Sequence, residues 1–186
     1  MADSHQTTKL SKSCTVSRYL SLQEARDRDA IACFVIERFE ERYLVPIEAD
    51  SAKKHGFTIM AVSCLMIESL ESFRRGWKDT SNRSKLAFCS FFSHWDQFAD
   101  FRPVSREFYK HVRCGILHHA ETTGGWRIIR SGLIRANTTV NATKFSGALR
   151  NVLRSYSSSL RSEDWDSEAW RGFRKKMEAI CQNTKP

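Results

Sequence analysis

Several absences narrow the reading first. The six cysteines (Cys14, Cys33, Cys64, Cys89, Cys114 and Cys181) stand singly, mostly inside apolar runs, and none makes a CxxC pair. A zinc ribbon and a disulfide framework are thereby disfavoured, and reduced, packed thiols are expected. No HExxH, HxH, glycine-rich phosphate loop or nucleophile elbow is present. The longest apolar run, FTIMAVSCLMI at 57–67, falls short of the roughly 20 residues that span a bilayer. The opening MADSHQTTKLSKSC lacks a signal peptide's apolar core. A soluble, cytoplasmic protein with no membrane partner is the expectation. Acidic residues are also few: 21 Asp and Glu face 30 Lys and Arg, giving a net charge of +9. A basic surface interleaved with aromatics favours a polyanion, RNA first.

What is present reads as helix. Residues 1–18 are polar and rich in Ser, Thr and Lys, as in a mobile tail. From Ser21, with Glu24 placed as in a capping box, Ile31, Phe34, Val35, Phe39 and Tyr43 recur at helical spacing up to Pro46. A second helix is expected over about 57–77. A third over 81–100 turns Phe88, Phe91, Phe92, Trp95 and Phe98 to a core. A fourth starts near Pro103 and runs to about Thr123, with Gly124-Gly125 as its stop. The period then changes, and Ser131-Gly132 between two short apolar stretches signals a β-hairpin at about 126–136. Helical spacing returns with Phe145, Leu149, Val152, Leu153 and Tyr156, and a last helix over about 167–181 carries Trp170, Phe173, Met177 and Ile180. The expected fold is an all-α bundle of five to six helices, one domain over 19–186, with a small inserted hairpin.

The stretch FYKHVRCGILHHAETTGG at 108–125 raises the question of chemistry. Adjacent His118 and His119 point about 100° apart on a helix, so both do not face one ion. His94, Asp96 and Asp100 add no ligand spacing, and neither a metal nor a cofactor is expected. Arg113 and His118 lie about 7.5 Å apart along a helix axis, close enough for the long Arg side chain to reach toward the His over one phosphate. A guanidinium there would bind phosphate oxygens and stabilise the transition state's extra charge. An imidazole would take a proton from a ribose 2′-hydroxyl or give one to the leaving 5′-oxygen. Those two groups suffice for metal-independent RNA cleavage to a 2′,3′-cyclic phosphate, and DNA lacks the nucleophile. Spacing alone is weak: with 19 Arg and 6 His, chance supplies about 0.6 such matches. Arg106 and His111 are indeed a second match. The later pair encloses the small, apolar Cys-Gly-Ile-Leu and sits near an accessible helix end, so it is preferred. Arg106, Lys110 and His111 read as charge that guides RNA.

Arg113-Cys-Gly-Ile-Leu-His118, set late in a helix of an all-α bundle, resembles the Arg-x4–6-His motif of the HEPN superfamily (higher eukaryotes and prokaryotes nucleotide-binding domain). Members that this chain resembles are often RNases of toxin–antitoxin, abortive-infection and CRISPR systems. They dimerise so that the Arg and His of both copies line one cleft. The resemblance therefore implies a homodimeric endoribonuclease acting in antiviral defence or as a toxin, with RNA as substrate and an antitoxin or other regulatory protein as a further partner. It implies Arg113 and His118 as the catalytic pair, and a place for Glu68 or Glu71 as an acidic residue facing the motif from an earlier helix. Cys114 departs from the Asn, Asp or His often found after the Arg. That departure keeps open a non-catalytic HEPN-like module that binds RNA or protein. Some members are silenced by nucleotidyl modification, for which Tyr109 or Tyr156 would be the acceptor. The helical layout over about 20–182 fits, only the six-residue motif is specific, and the hairpin lies outside the minimal family core.

Other residues carry two readings each. Glu68 and Glu71 are auxiliary site residues, or solvated partners of Arg74 and Arg75. His119 is a second base or a neighbour on an exposed face. Glu121, one turn after His118, orients its ring or ends the helix. Trp126 is core or a base-stacking platform. Arg127, Arg130 and Arg135 grip a phosphate backbone or keep an edge strand soluble.

Overall fold

A computed structural model describes residues 6–49 and 55–184. They are mostly helical with one small three-stranded sheet, as the sequence periods imply. The chain divides into two compact units, each built from separate stretches. One takes the described residues up to Arg42, then Ser72–Asp79 and the described residues from Leu153 onward; the other takes residues 43–71 and 80–152.

In the first unit, helix α1 (Val16–Glu24) is capped by Thr15, whose hydroxyl accepts the Arg18 amide, and α2 (Arg28–Phe39) by Asp27, which accepts from Ala30. The expected capping box at Ser21 does not form. Ser21 sits inside α1 and its hydroxyl bonds back to the Ser17 carbonyl at 3.2 Å, a mid-helix use of serine. Arg26 at φ 51° breaks the two helices apart, a turn that no glycine announced. The polar N-terminal segment is not a free tail over its described part. Lys9 bridges Thr15, and Leu10, Cys14 and Val16 are buried; residues 1–5 lie outside the described residues. Glu37 Oε2 accepts the Ser13 amide at 3.2 Å, the Ser13 hydroxyl at 2.6 Å and the Ser11 hydroxyl, while Glu41 accepts the Lys12 amide at 2.7 Å. These carboxylates satisfy backbone donors that would otherwise hold the segment in water. Around this strap Tyr19, Phe34, Phe39, Phe73, Trp170 and Phe173 form an aromatic core, with Phe39 and Phe73 edge-on at 5.3 Å. The last helix, α9 (Glu168–Asn183), is capped by Ser167, and only glycine fits at 172, where a Cβ would collide with the Arg74 carbonyl.

Between α2 and the next helix runs a π-turn, Glu40–Leu44, and Pro46 lies in the first turn of the short α3 (Val45–Glu48). The proline therefore opens a helical turn instead of ending a helix, because its missing N–H costs nothing at that position.

The second unit holds most of α4 (Gly56–Arg75). This helix is long and apolar enough to cross a membrane, but 61% of its apolar window is buried inside the fold, so it is a core helix. Next come α5 (Ser84–His94), a 3₁₀ stretch Asp96–Val104 that contains Pro103, and α6 (Ser105–Phe108). A second π-turn, Tyr109–Arg113, joins α6 to α7 (Cys114–His119). Ala120, at φ 53°, stops α7 before Gly124-Gly125 is reached. Phe88, Phe91, Phe92, Phe98, Phe101, Phe108 and Phe145 are wholly buried; Phe108 and Phe145 stack at 5.4 Å. Trp126 packs edge-on against Phe108 at 5.7 Å and is 5% exposed, so it belongs to this core and is no stacking platform.

The sheet is small, and its pairing differs from a simple 126–136 hairpin. Strands β1 (Arg127–Ile129) and β2 (Arg135–Ala136) do not pair with each other; β3 (Thr139–Asn141) lies between them, parallel to β1 and antiparallel to β2. The tight turn is Asn137-Thr138, with Asn137 at φ 51°. Val140 is fully buried, which draws its strand to the centre. Asn141 then receives the Lys144 amide on its side chain at 3.1 Å, capping α8 (Ala142–Ser162).

Candidate functional site

The motif helix is irregular where it matters. The π-turn at Tyr109–Arg113 adds a residue to the helical register just before the apolar Cys-Gly-Ile-Leu, a device that recurs at functional positions. Within the same unit, Arg113 Nε donates to Glu68 Oε1 at 2.9 Å. Glu68 is held in turn: its Oε2 accepts the Thr80 hydroxyl at 2.7 Å and the Ser84 hydroxyl at 2.8 Å. The side chains of Arg113 and Glu68 are 19% and 12% exposed, so the pair is mostly withdrawn from solvent, where charge-assisted bonds are strong. Burial works against the Arg113 charge, but the Glu68 carboxylate outweighs it and holds the guanidinium above its ordinary value. The Tyr109 ring lies 5.7 Å from the guanidinium. Burial, together with a hydrogen bond involving Cys114, pushes the Tyr109 phenol up, so it stays protonated at neutral pH.

Beside Arg113, Ala61, Cys64, Leu65, Ile116 and Leu117 line an apolar notch of about 230 Å³. Leu65 and Leu117, which both line this notch, are 58% and 59% exposed. Full burial pushes the Cys64 thiol well above its ordinary value, so it acts as packing. All six cysteines are free; Cys14, Cys64 and Cys181 are buried, while Cys33 is exposed, against the expectation that the thiols would all be packed away.

The other sequence-selected residues separate into groups. His118 and His119 are exposed at the end of α7, and among the described residues neither makes a hydrogen bond or ion pair. Arg113 does not reach His118: its Nε is committed to Glu68, and five α-helical residues turn the chain by about 140°. Glu121 does not orient the His118 ring; it accepts the amide of Thr122 at 2.8 Å. Glu71 is fully buried and Glu68 nearly so, so neither is a solvated surface acid. His111 is structural: Nδ1 meets the Thr123 hydroxyl at 2.9 Å, its carbonyl accepts the Thr123 amide, and a Cβ at Gly124 would sit 2.5 Å from its ring. It clasps the loop after α7. Arg135 is likewise a staple, donating to the Asp100 and Asn137 carbonyls at 2.7 and 2.6 Å. Arg130 bonds the Thr143 hydroxyl at 3.4 Å. Arg106, Lys110 and Arg127 are exposed. Tyr156 is 2% exposed and is closed to a modifying enzyme; Tyr109 is half-buried. Among the described residues no three His, Cys, Asp or Glu side chains gather as a metal-binding set.

Thr80 and Ser84 were not legible as site residues, because isolated hydroxyls have no spacing signature and meet Glu68 only through the fold. Compared with known proteins, the chain matches no family model, no curated protein and no solved structure.

Proposed function

We propose that the chain is a metal-independent endoribonuclease of the HEPN type, a cytoplasmic defence or toxin effector restrained by an antitoxin-like regulatory protein. One observation carries the reading: an arginine five residues before an exposed histidine is fixed by a carboxylate that two hydroxyls brace in turn. A guanidinium held by its Nε edge is pre-oriented, and pre-orientation is what transition-state stabilisation requires. Arg113 neutralises the charge that builds on phosphate oxygens. An imidazole takes the 2′-hydroxyl proton, the 2′-oxygen attacks phosphorus, and the bond to the 5′-oxygen breaks as that oxygen is protonated. The products are a 2′,3′-cyclic phosphate and a 5′-hydroxyl.

Arg113 and His118 of one copy diverge, so the proposed cleft combines two copies related by a two-fold axis. Leu65, Ile116 and Leu117 supply the apolar surface for that contact. The second reading, a non-catalytic HEPN-like module that binds RNA or protein, is favoured by the absence of an orienting partner on His118 among the described residues. Incubating the protein with mixed RNA and EDTA, beside folded Arg113→Ala and His118→Ala variants, separates them. Chelator-resistant cleavage that both substitutions abolish is expected; equal cleavage by all three proteins, or none by the wild type, contradicts the enzyme.

A further inference from the structure

Alongside the motif helix runs a second depression of about 400 Å³, lined by Lys85 of α5 and by Arg106, Glu107, Tyr109, Lys110, His111 and Cys114. Lys85, Arg106 and Lys110 are exposed, and among the described residues none of them, nor Glu107, makes an ion pair or hydrogen bond. Three unneutralised cations thus face one carboxylate in a single groove, an arrangement that repels itself until a polyanion arrives. Tyr109 joins this groove to the site: it is one of the residues lining the depression, and its ring lies 5.7 Å from the Arg113 guanidinium.

We infer that this groove is a subsite for the single-stranded RNA that flanks the reacting phosphate, with Lys85, Arg106 and Lys110 on the phosphates and the Tyr109 ring against a base. The inference rests on the ribonuclease reading for its substrate but adds a strand path, and it brings in Lys85, 28 residues before Arg113 and invisible to motif spacing. A single strand is favoured over a duplex because a base reaches a side-chain ring only when unstacked from its own helix. RNA is favoured over an acidic peptide because a single strand presents phosphates and flat bases together, matching cations that flank an aromatic ring.

The test measures binding, separately from cutting. A labelled single-stranded RNA oligonucleotide is titrated with the full chain carrying His118→Ala, over a range of salt concentrations. The same is done after adding Lys85→Ala, Arg106→Ala and Lys110→Ala, or, as a charge-matched control, Arg18→Ala, Lys144→Ala and Arg154→Ala. The groove variant is expected to lose about 2 from the slope of log affinity against log salt, near 0.7 per lost phosphate contact, and the control is expected to keep its slope. Equal losses in both, an unchanged groove variant, or no RNA binding by the parent overturns the subsite. Displacement of the RNA by polyglutamate at matched charge overturns it in favour of an acidic protein partner. Cleavage by the chain with His118 intact is scored independently. RNA held through the groove but never cut keeps the subsite and removes the nuclease; RNA cut with the groove variant unimpaired does the reverse.

Discussion

Arg113 and Glu68, 45 residues apart in sequence, are joined by an Nε–H···Oε1 bond of 2.9 Å, and the second oxygen of the carboxylate is taken by Thr80 and Ser84. The consequence for stability is direct. Glu68→Ala leaves a mostly buried guanidinium and two hydroxyls without their acceptor, at a cost of about 2 kcal/mol. In a chain of this size that lowers the Tm by about 4–8 °C. Thermal unfolding followed by circular dichroism checks it; an unchanged Tm would mean that the pair contributes nothing net.

Arg113→Lys separates charge from geometry. Lysine keeps the positive charge but has no Nε edge for Glu68 and no planar fork for a phosphate. Cleavage is expected to fall about 10²–10³-fold while the circular dichroism spectrum is preserved. A lysine variant that cuts RNA as the wild type does would show that only charge is needed there.

Much of this arrangement is periodic and was therefore legible. The helical runs, the Phe88–Phe91–Phe92–Phe98 core and the β insertion all follow from local spacing, because burial on one face imposes a period on the sequence. The interruptions did not show. Arg26 and Ala120 turn the chain at positive φ without the glycine that usually advertises such a turn. The two π-turns leave no pattern at all. Ser21 looked like a cap and Gly124-Gly125 like a stop, yet Thr15 and Ala120 do those jobs. At the site, Arg113 and His118 were visible through their spacing, whereas Glu68 was one of two equivalent carboxylates until the fold set it against Arg113. His111, half of a rival match, proved to be a clasp for its own loop.

The strap over α2 should respond to acid. Burial alone would raise the Glu37 carboxyl, but the Ser11 and Ser13 hydroxyls and the Ser13 amide hold it below its ordinary value of 4.5. A carboxyl depressed in the folded state stabilises that state above its unfolded value, and the contribution is lost as pH falls through the folded value. Amide exchange protection at Ser13 is therefore expected to be constant above about pH 5 and to decline below about pH 4.5. Glu37→Gln should weaken protection at neutral pH and remove the acid dependence. A wild type whose Ser13 protection shows the same pH profile as the variant would contradict this.

Mixing Arg113→Ala protein with His118→Ala protein tests the two-copy cleft. Heterodimers would carry one intact Arg and one intact His facing each other, so mixing two inactive proteins is expected to restore a fraction of activity, on the order of a quarter if copies exchange freely. Complete inactivity of a mixture shown by sedimentation to contain heterodimers would place both groups of each working pair in one copy.

The central claim is that Arg113 and His118 direct a ribose 2′-hydroxyl onto its neighbouring phosphate. Its most direct measurement uses a mapped RNA cleavage site, in EDTA, with an otherwise identical oligonucleotide carrying a single 2′-deoxynucleotide there. The account predicts a 2′,3′-cyclic phosphate end from the all-RNA strand and no cut at the deoxy position. Cleavage at the deoxy position, or cleavage that EDTA abolishes, would contradict it.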